Sequence, residues 1–165
     1  MNGFPLFASL VGMLFRGRPV AVAVWCSTGH RLTPGVYRAS KGRSRRFDGE
    51  EFVRTPNSAV RRRLAGNGAE ASSTWDGRKT GSAAIECAFV ATGLPEVTRF
   101  TAPNLWDVAG GSALVQAAGG AILERHDDSW QPFNRFEADE RDARTWGRAI
   151  ILGTRQGARA MSDAS

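Results

Sequence analysis

A run of seven apolar residues, 20–26, constrains the fold of this chain more than any other feature of its sequence. Valines occupy one parity of the run, and two alanines and a tryptophan occupy the other. A strand with apolar side chains on both parities is typical of a sheet that is covered on both faces. We therefore expect a β-strand in the middle of a layered α/β protein.

Other segments add strands and helices to this arrangement. Residues 6–15 form a strand that a turn at residues 16–19 connects to the first one, and residues 35–39 form another. Two helices are expected, over residues 82–91, which a glycine follows, and over about residues 106–118, which a Gly-Gly pair follows. Shorter strands and a terminal helix are predicted at residues 97–100, 121–123, 149–152 and 155–161.

The whole pattern predicts one domain, residues 1–165, with a layered α/β or α+β sandwich fold in which the helices pack on a mixed β-sheet. The length agrees with this, because domains usually contain about 100–200 residues. Residues 54–79 are the exception, since they show no sustained periodicity beyond a weak segment at residues 59–64.

The apolar runs and the cysteines exclude several classes of protein. The longest apolar run has seven residues, whereas a membrane-spanning helix needs about 20, so no membrane helix is expected. The two cysteines, Cys26 and Cys87, are too few for a disulfide framework and lack the spacing of a zinc site. We therefore expect buried free thiols and a cytoplasmic protein.

The net charge of +6 raises the question of nucleic acid binding. The basic residues are mostly arginines scattered along the chain, with clusters only at residues 43–46 and 61–63. Few aromatic residues lie among them, although stacking surfaces for nucleic acid use such residues. A solvated arginine-rich surface is the preferred interpretation, and nucleic acid is not an expected partner.

Small residues gather where both predicted helices begin. Gly81, Ser82 and Ala83 open the first helix, where the backbone can approach a ligand and free N–H groups favour an anion such as phosphate. Asp107 lies in the first turn of the second helix. Both features have a simpler explanation, because Ser and Asp are residue types that cap helices.

Taken together, these segments resemble those of a known family. Residues 105–120 contain a Trp-Asp pair, an apolar helix and a Gly-Gly pair, while residues 81–84 and 91–93 read Gly-Ser-Ala-Ala and Ala-Thr-Gly. Residues 2–9 and 35–42 add further matches. Over nearly its whole length, the sequence resembles the inositol monophosphatase family, and the Trp-Asp helix is the most specific part of the resemblance.

The resemblance implies Mg²⁺-dependent hydrolysis of a small phosphate monoester, either an inositol phosphate or a related sugar phosphate. Asp107 would be a metal ligand, and Gly81, Ser82 and Ala83 would contact the substrate. This is chemically coherent, because Mg²⁺ prefers hard oxygen ligands and a helix N-terminus favours phosphate.

The chain departs from the family pattern at its metal ligands. The family's main metal loop, Asp-Pro-x-Asp-Gly-Thr, and a Glu-Glu pair farther upstream have no counterpart here, and Asp76, Glu86 and Glu96 do not match them. We therefore expect a truncated form of the family fold, in which no catalytic residue is assigned. Phe100 also stands where many inositol-hydrolysing members carry glutamate, which argues against inositol itself as the substrate.

Three functions compete on these observations. The leading one is the metal-dependent phosphatase. The second is a non-catalytic remnant, or pseudoenzyme, that binds an anion or a partner without turnover, and the missing carboxylates favour it. The third is an arginine-rich nucleic-acid binder, which no base-reading motif supports. Uncovered apolar surface would also make the chain associate, either as a homodimer or with a missing N-terminal half.

Overall fold

The computed structural model describes residues 5–55, 63–66, 75–137 and 145–164. Its first sheet is an antiparallel meander, in which each strand pairs with the next one along the chain. A two-residue turn of Arg16 and Gly17 connects the first two strands, and both residues have the positive φ that suits such a hairpin. The strands are β1 (Ala8–Phe15), β2 (Arg18–Cys26), β3 (Gly35–Ser40), β4 (Arg46–Phe47) and β5 (Glu50–Glu51).

The second sheet contains parallel and antiparallel pairs, which confirms the predicted mixed sheet. Its strand order is β10-β9-β11-β8-β6-β7, where β6 runs parallel to β7 and β8 and the other neighbours are antiparallel. Its strands are β6 (Arg63–Gly66), β7 (Trp75–Gly77), β8 (Val97–Phe100), β9 (Ala121–His126), β10 (Ser129–Pro132) and β11 (Ile150–Gly153).

The helices create the layers. Helices α1 (Ala83–Thr92) and α2 (Leu105–Ala117) pack between the two sheets, and α3 (Arg155–Asp163) packs on the other face of the second sheet. Strand β11 shows this arrangement, because Ile150 and Leu152 join the core around α1 and α2 while Ile151 packs with α3. The predicted layered α+β fold is confirmed.

Glycines inside α2 allow the helix to approach its neighbours closely. A Cβ atom on Gly110 would lie 2.9 Å from side-chain atoms of Leu10 and Val22 in the first sheet. A Cβ atom on Gly111 would lie 2.5 Å from Cys87 of α1. The Gly-Gly pair therefore costs helix propensity but permits α2 to pack against the sheet and α1 together.

The expectation that β2 is covered on both faces is wrong for the part of the chain that the structure describes. Val22, Val24 and Cys26 are buried beneath the helices, whereas Ala23 on the other face is exposed. Val11 of the neighbouring strand is 76% exposed on the same open face. Helix α2 supplies one covering layer, and the described residues supply no second one.

Several other expectations differ from the structure in detail. The predicted turn at residues 16–19 is too long, because Arg18 and Pro19 already belong to β2. The short strands β4, β5, β7 and β10 were not predicted. Residues 56–62, which contain most of the predicted weak segment 59–64 and part of the second arginine cluster, lie outside the described residues.

The structure agrees with the expectations about membrane helices and thiols. Among the residues described, no helix has the length and apolar character that crossing a membrane requires. Cys26 and Cys87 are buried and form no disulfide. Burial raises the pKa of the Cys26 thiol to about 12 and raises that of Cys87 as well, so both thiols are protonated near neutral pH.

Candidate functional site

The four predicted site residues lie around one cleft. Gly81, Ser82 and Ala83 at the start of α1 and Asp107 at the start of α2 all line a cavity of about 780 Å³. The beginning of the first sheet closes another side of it. The layered fold produces this arrangement, because α1 and α2 pack side by side and begin at the same end of the molecule.

The start of α1 presents backbone donors to the cleft. Ser82 is the N-cap, and its Oγ accepts a hydrogen bond from the Ile85 N–H. Ser82 therefore caps the helix as expected, but the bond is long, 3.5 Å, and hence weak. Gly81 has a φ of +79°, which favours glycine. Within the described chain, the N–H groups of Gly81, Ala83 and Ala84 have no acceptor. They form a donor set for an anion.

Asp107 is not the cap of α2. It is the third residue of the helix, after the N-cap Asn104, and the Nδ2 of Asn104 donates a 3.0 Å hydrogen bond to Asp107 Oδ2. Asn104 makes no side-chain capping bond to the backbone. The two side chains bond to each other instead, which orients the half-buried carboxylate. Its other oxygen, Oδ1, accepts no hydrogen bond from the described residues, so it is open to a ligand.

The cleft also contains two residues that sequence reasoning missed. Lys79 immediately precedes the Thr-Gly-Ser turn and adds a positive charge beside the backbone donors. Trp106 is 47% exposed, although the apolar side chains around it on α2 are buried. The position of Lys79 next to the glycine turn could have identified it as a site residue in the sequence. Trp106 was noticed only as part of the Trp-Asp pair.

Apolar side chains form much of the remaining wall. Leu6 and Phe7 contribute from the segment before β1, and Pro103 contributes from the loop before α2. Phe100, at the end of β8, also borders the cleft and is 4% exposed. At this position the cleft therefore has a largely buried aromatic residue and no side-chain hydrogen-bonding group.

The other carboxylates that the sequence brought forward lie outside the cleft. Asp76 pairs with Arg78, and Glu96 pairs with Arg63. Glu86 accepts hydrogen bonds from two threonines behind the start of α1. Each therefore has a bonding role elsewhere in the fold.

The described side chains offer few ligands for a metal ion. Among the described residues, no group of three or more His, Cys, Asp or Glu side chains could hold one. Asp107 supplies a single hard oxygen ligand in the cleft. The described residues therefore do not build a two-metal site, and Asp107 could hold a metal ion only together with carboxylates from outside them.

Comparison with known proteins gives a consistent result. The sequence model described as the inositol monophosphatase family matches residues 1–150. Over 153 aligned residues, the chain is 28% identical to Phosphatase IMPL1, chloroplastic, of Arabidopsis thaliana, covering 81% of this chain and 41% of the relative. It is 29% identical to the Probable inositol 1-monophosphatase ImpA of Mycobacterium tuberculosis, covering 81% of this chain and 55% of the relative.

A solved structure shows the same fold. The inositol monophosphatase II of Staphylococcus aureus matches with a TM-score of 0.68 and 20% identity, over 95% of this chain and 60% of that one. The chain thus spans about half the length of the curated relatives and about three fifths of this structure.

Proposed function

This chain belongs to the inositol monophosphatase family, and on that premise we propose that it supplies the phosphate-binding part of a Mg²⁺-dependent phosphatase. The observation that carries the proposal is the cleft in which Asp107 lies together with the amides of Gly81 and Ala83, which have no acceptor among the described residues. Relatives that are phosphatases by name support the reaction class.

In the proposed site, each group has a distinct task. The N–H groups of Gly81 and Ala83 and the positive end of α1 bind phosphate oxygens. Ser82 caps the helix through a long bond of 3.5 Å, and its position in the cleft supports a role as a substrate contact. Lys79 adds attraction for a dianion.

Asp107 would be one ligand of the metal. The family is generally metal-dependent, and Mg²⁺ is the ion that we propose, because a carboxylate is a hard oxygen ligand. A bound Mg²⁺ supplies charge for the phosphoryl oxygens and activates water. Since the described residues provide only this carboxylate, we assign no catalytic residue and place the remaining ligands outside them.

The proposed substrate is a small phosphate monoester of a cyclic alcohol, such as an inositol phosphate or a related sugar phosphate. Two further structures, of the staphylococcal inositol monophosphatase II (SaIMPase-II), share this fold. One contains inositol monophosphate and the other contains 2'AMP. Both ligands carry a phosphate on a ring alcohol. The exposed Trp106 and the absence of a polar side chain at Phe100 support a ligand with an apolar face over a fully hydroxylated one.

Turnover needs further carboxylate ligands for the metal, and a partner could supply them. We propose either a homodimer or association with a polypeptide that corresponds to the N-terminal half of the relatives. The open face of the first sheet, where Val11 is 76% exposed, supports this proposal.

The single domain over residues 1–165 and the cytoplasmic location also stay predictions, and the free buried thiols suit a reducing compartment.

A second function is favoured by one observation. The described residues contain no metal-binding cluster, so a protein that binds a phosphorylated ligand without hydrolysing it fits the same cleft. The two functions share the phosphate site and differ only in turnover.

Phosphate release from a panel of inositol and sugar monophosphates, with and without Mg²⁺, tests the proposal. We expect Mg²⁺-dependent turnover, which the Asp107→Asn variant loses by at least about 100-fold, since a lost ligand costs at least as much as a lost second-shell contact. Asp128→Asn is the matched control, because Asp128 is an exposed carboxylate in the β9–β10 turn, far along the chain from the cleft.

The outcomes separate the two functions. Turnover that Asp107→Asn abolishes and Asp128→Asn preserves supports the phosphatase. If there is no turnover but the chain binds inorganic phosphate, the chain is the non-catalytic binder. If neither is observed, both functions are wrong for this chain on its own.

A further inference from the structure

Glu86 is a buried carboxylate with a bonding pattern that the proposed function does not use. It lies in the first turn of α1, and its side chain is 2% exposed. Its Oε1 accepts hydrogen bonds from the Thr80 N–H at 2.9 Å and from the Thr80 hydroxyl at 3.1 Å. Its Oε2 accepts from the Thr98 hydroxyl of β8 at 3.0 Å. The carboxylate therefore connects the turn before α1 to the second sheet.

The same contacts determine which amides of the turn remain free. The Ser82 N–H donates to Thr80 Oγ1 at 3.3 Å. The single hydrogen of that hydroxyl has two acceptors within reach, Glu86 Oε1 at 3.1 Å and the Ser82 carbonyl at 3.3 Å, and the charged carboxylate is the shorter and stronger of the two. The N–H groups of Thr80 and Ser82 are thus used inside the protein. Between and beside them, the N–H groups of Gly81 and Ala83 have no acceptor among the described residues. The Ala84 N–H, in the first turn of the helix, also lacks an acceptor among these residues, so the Thr80 and Ser82 bonds leave the amides of Gly81, Ala83 and Ala84 to a ligand.

The second sheet provides space for this carboxylate. A Cβ atom on Gly66 of β6 would lie 2.6 Å from Glu86 Oε2 and 2.7 Å from Thr98 Oγ1. Any larger residue at position 66 would displace one of these two groups. The glycine, the threonine and the carboxylate come from three different elements, so the arrangement is a packed unit and not a local turn motif.

We propose that Glu86 is a positioning residue for the phosphate site, because it holds the Thr80–Ser82 backbone so that the Gly81 and Ala83 amides remain available to an anion. The inference rests on the proposed function for the identity of the ligand, but the positioning itself can be measured without one. Its physical basis is that a buried carboxylate strongly prefers to keep its hydrogen-bond donors, the Thr80 and Thr98 groups among them, which makes the turn rigid before a ligand arrives.

The charge and the geometry of Glu86 have opposite effects on an anion. The negative charge behind the turn repels phosphate, whereas the hydrogen bonds order the amides that bind it. The Glu86→Gln substitution would keep the geometry, since the carbonyl oxygen of the new side chain accepts from Thr80 and its amide can donate to Thr98 Oγ1. Removal of the side chain would lose both effects. The two substitutions should therefore change phosphate affinity in different directions.

The experiment compares Glu86→Gln and Glu86→Ala with the native chain, using hydrogen exchange of residues 79–84 and calorimetric titration with inorganic phosphate. We expect Glu86→Ala to speed exchange at Thr80 and Ser82 and to weaken phosphate binding by at least about tenfold, as the loss of one charged hydrogen bond would do. Glu86→Gln should keep slow exchange and bind phosphate as tightly as the native chain, or more tightly.

Glu124 provides a matched control. It is a buried carboxylate of β9, 3% exposed, that pairs with Arg148 and His126. Glu124→Ala should lower the melting temperature without changing exchange at residues 79–84. If Glu86→Ala does not fold, Thr80→Val serves instead, because it removes the hydroxyl that links Ser82 to the carboxylate.

The results decide the inference independently of the proposed function. The positioning role is overturned if hydrogen exchange at residues 79–84 is unchanged in Glu86→Ala, or in Thr80→Val where that variant replaces it. It is also overturned if Glu86→Gln speeds exchange as much as Glu86→Ala does. If the native chain does not bind phosphate, the proposed function fails, while exchange at Thr80 and Ser82 still tests the positioning.

Discussion

At the scale of single residues, the carboxylate of Glu96 joins three parts of the second sheet. The Nε and Nη2 atoms of Arg63 donate to it at 2.7 and 2.6 Å, and the Thr154 hydroxyl that caps α3 donates at 3.2 Å. The guanidinium of Arg63 also stacks on Trp75, 4.2 Å from the ring centre. The hydrogen bond from Arg63 is the main cause that lowers the pKa of Glu96, against an opposing effect of burial.

This shift predicts how stability depends on pH. A carboxyl group whose pKa is lower in the folded protein contributes stability above its unfolded pKa, which is near 4.5, and loses that contribution as the pH falls through the folded pKa. We expect Glu96→Gln to lower the free energy of unfolding by about 1–2 kcal/mol at pH 7, the range for charged hydrogen bonds with partial exposure.

Urea unfolding at pH 7 and in steps below pH 4.5 measures the effect. The difference between Glu96→Gln and the native chain should shrink as the pH falls, because the native carboxyl then also becomes neutral. Glu51→Gln, at an exposed glutamate of β5, is the control and should show little difference at any pH. A constant difference across this range would show that the loss is not electrostatic.

Single residues also show where sequence reasoning about the site reached its limit. Gly81, Ser82, Ala83 and Asp107 could be selected because they stand in motifs at helix starts. Glu86 could not be given its bonding role, since a glutamate in a first turn usually faces solvent and favours the helix dipole. Tertiary contacts explain its burial, and one of them is the hydrogen bond from Thr98, on a strand later in the chain.

At the scale of elements, the packing of α1 against α2 depends on the absence of a side chain at Gly111. The Cβ atom of an alanine there would lie 2.5 Å from both Cβ and Sγ of Cys87. An alanine gains about 1 kcal/mol of helix propensity, whereas overpacking a core costs about 1–3 kcal/mol. Because Cys87 is fully buried and cannot move away, the cost should exceed the gain.

We therefore predict that Gly111→Ala destabilises the protein by up to about 2 kcal/mol, measured by urea unfolding. Gly147→Ala is the control, because nothing lies within 4 Å of the added Cβ atom at that glycine. Its stability should stay close to that of the native chain. An equal or higher stability for Gly111→Ala would mean that the two helices can separate at little cost.

The sequence predicts those helices and strands that have a local sequence signal. It does not predict short strands that form only because they pair with a neighbouring strand. Glycine follows α1 in the left-handed conformation, with φ of +93°, and this end signal can be read from the sequence. Strand β10 contains Ser-Trp-Gln-Pro, which has neither apolar alternation nor β-branched residues. It is a strand because it pairs with β9 across a two-residue turn, and no sequence pattern carries that information.

At the scale of the whole molecule, the outer face of the first sheet is the main apolar surface without a covering layer in the described chain. Val11, Met13 and Phe15 of β1 project on this face with exposures of 76%, 63% and 63%. The row that contains Val11 continues through Ala23 to Arg38 and Arg46 on the neighbouring strands. An apolar strip with an arginine border is therefore open to a partner.

We predict that the isolated chain self-associates through this strip, as measured by sedimentation velocity. Val11→Lys should shift the protein toward the monomer, because a charge in the middle of the strip opposes its burial. Val53→Lys is the matched control, since Val53 is 70% exposed but lies outside both sheets. A native chain that is monomeric at all concentrations and melts cooperatively would contradict the prediction.

The dependence of association on salt distinguishes two copies of this chain from a different partner. In a homodimer through this face, the Arg38 and Arg46 side chains of both copies lie near the same interface, and their repulsion is screened as salt rises. Self-association should therefore strengthen between low and high salt. An acidic polypeptide on the same face would show the opposite trend, because salt screens its attraction to the arginines. Weaker self-association at high salt would exclude the apolar strip as its main cause.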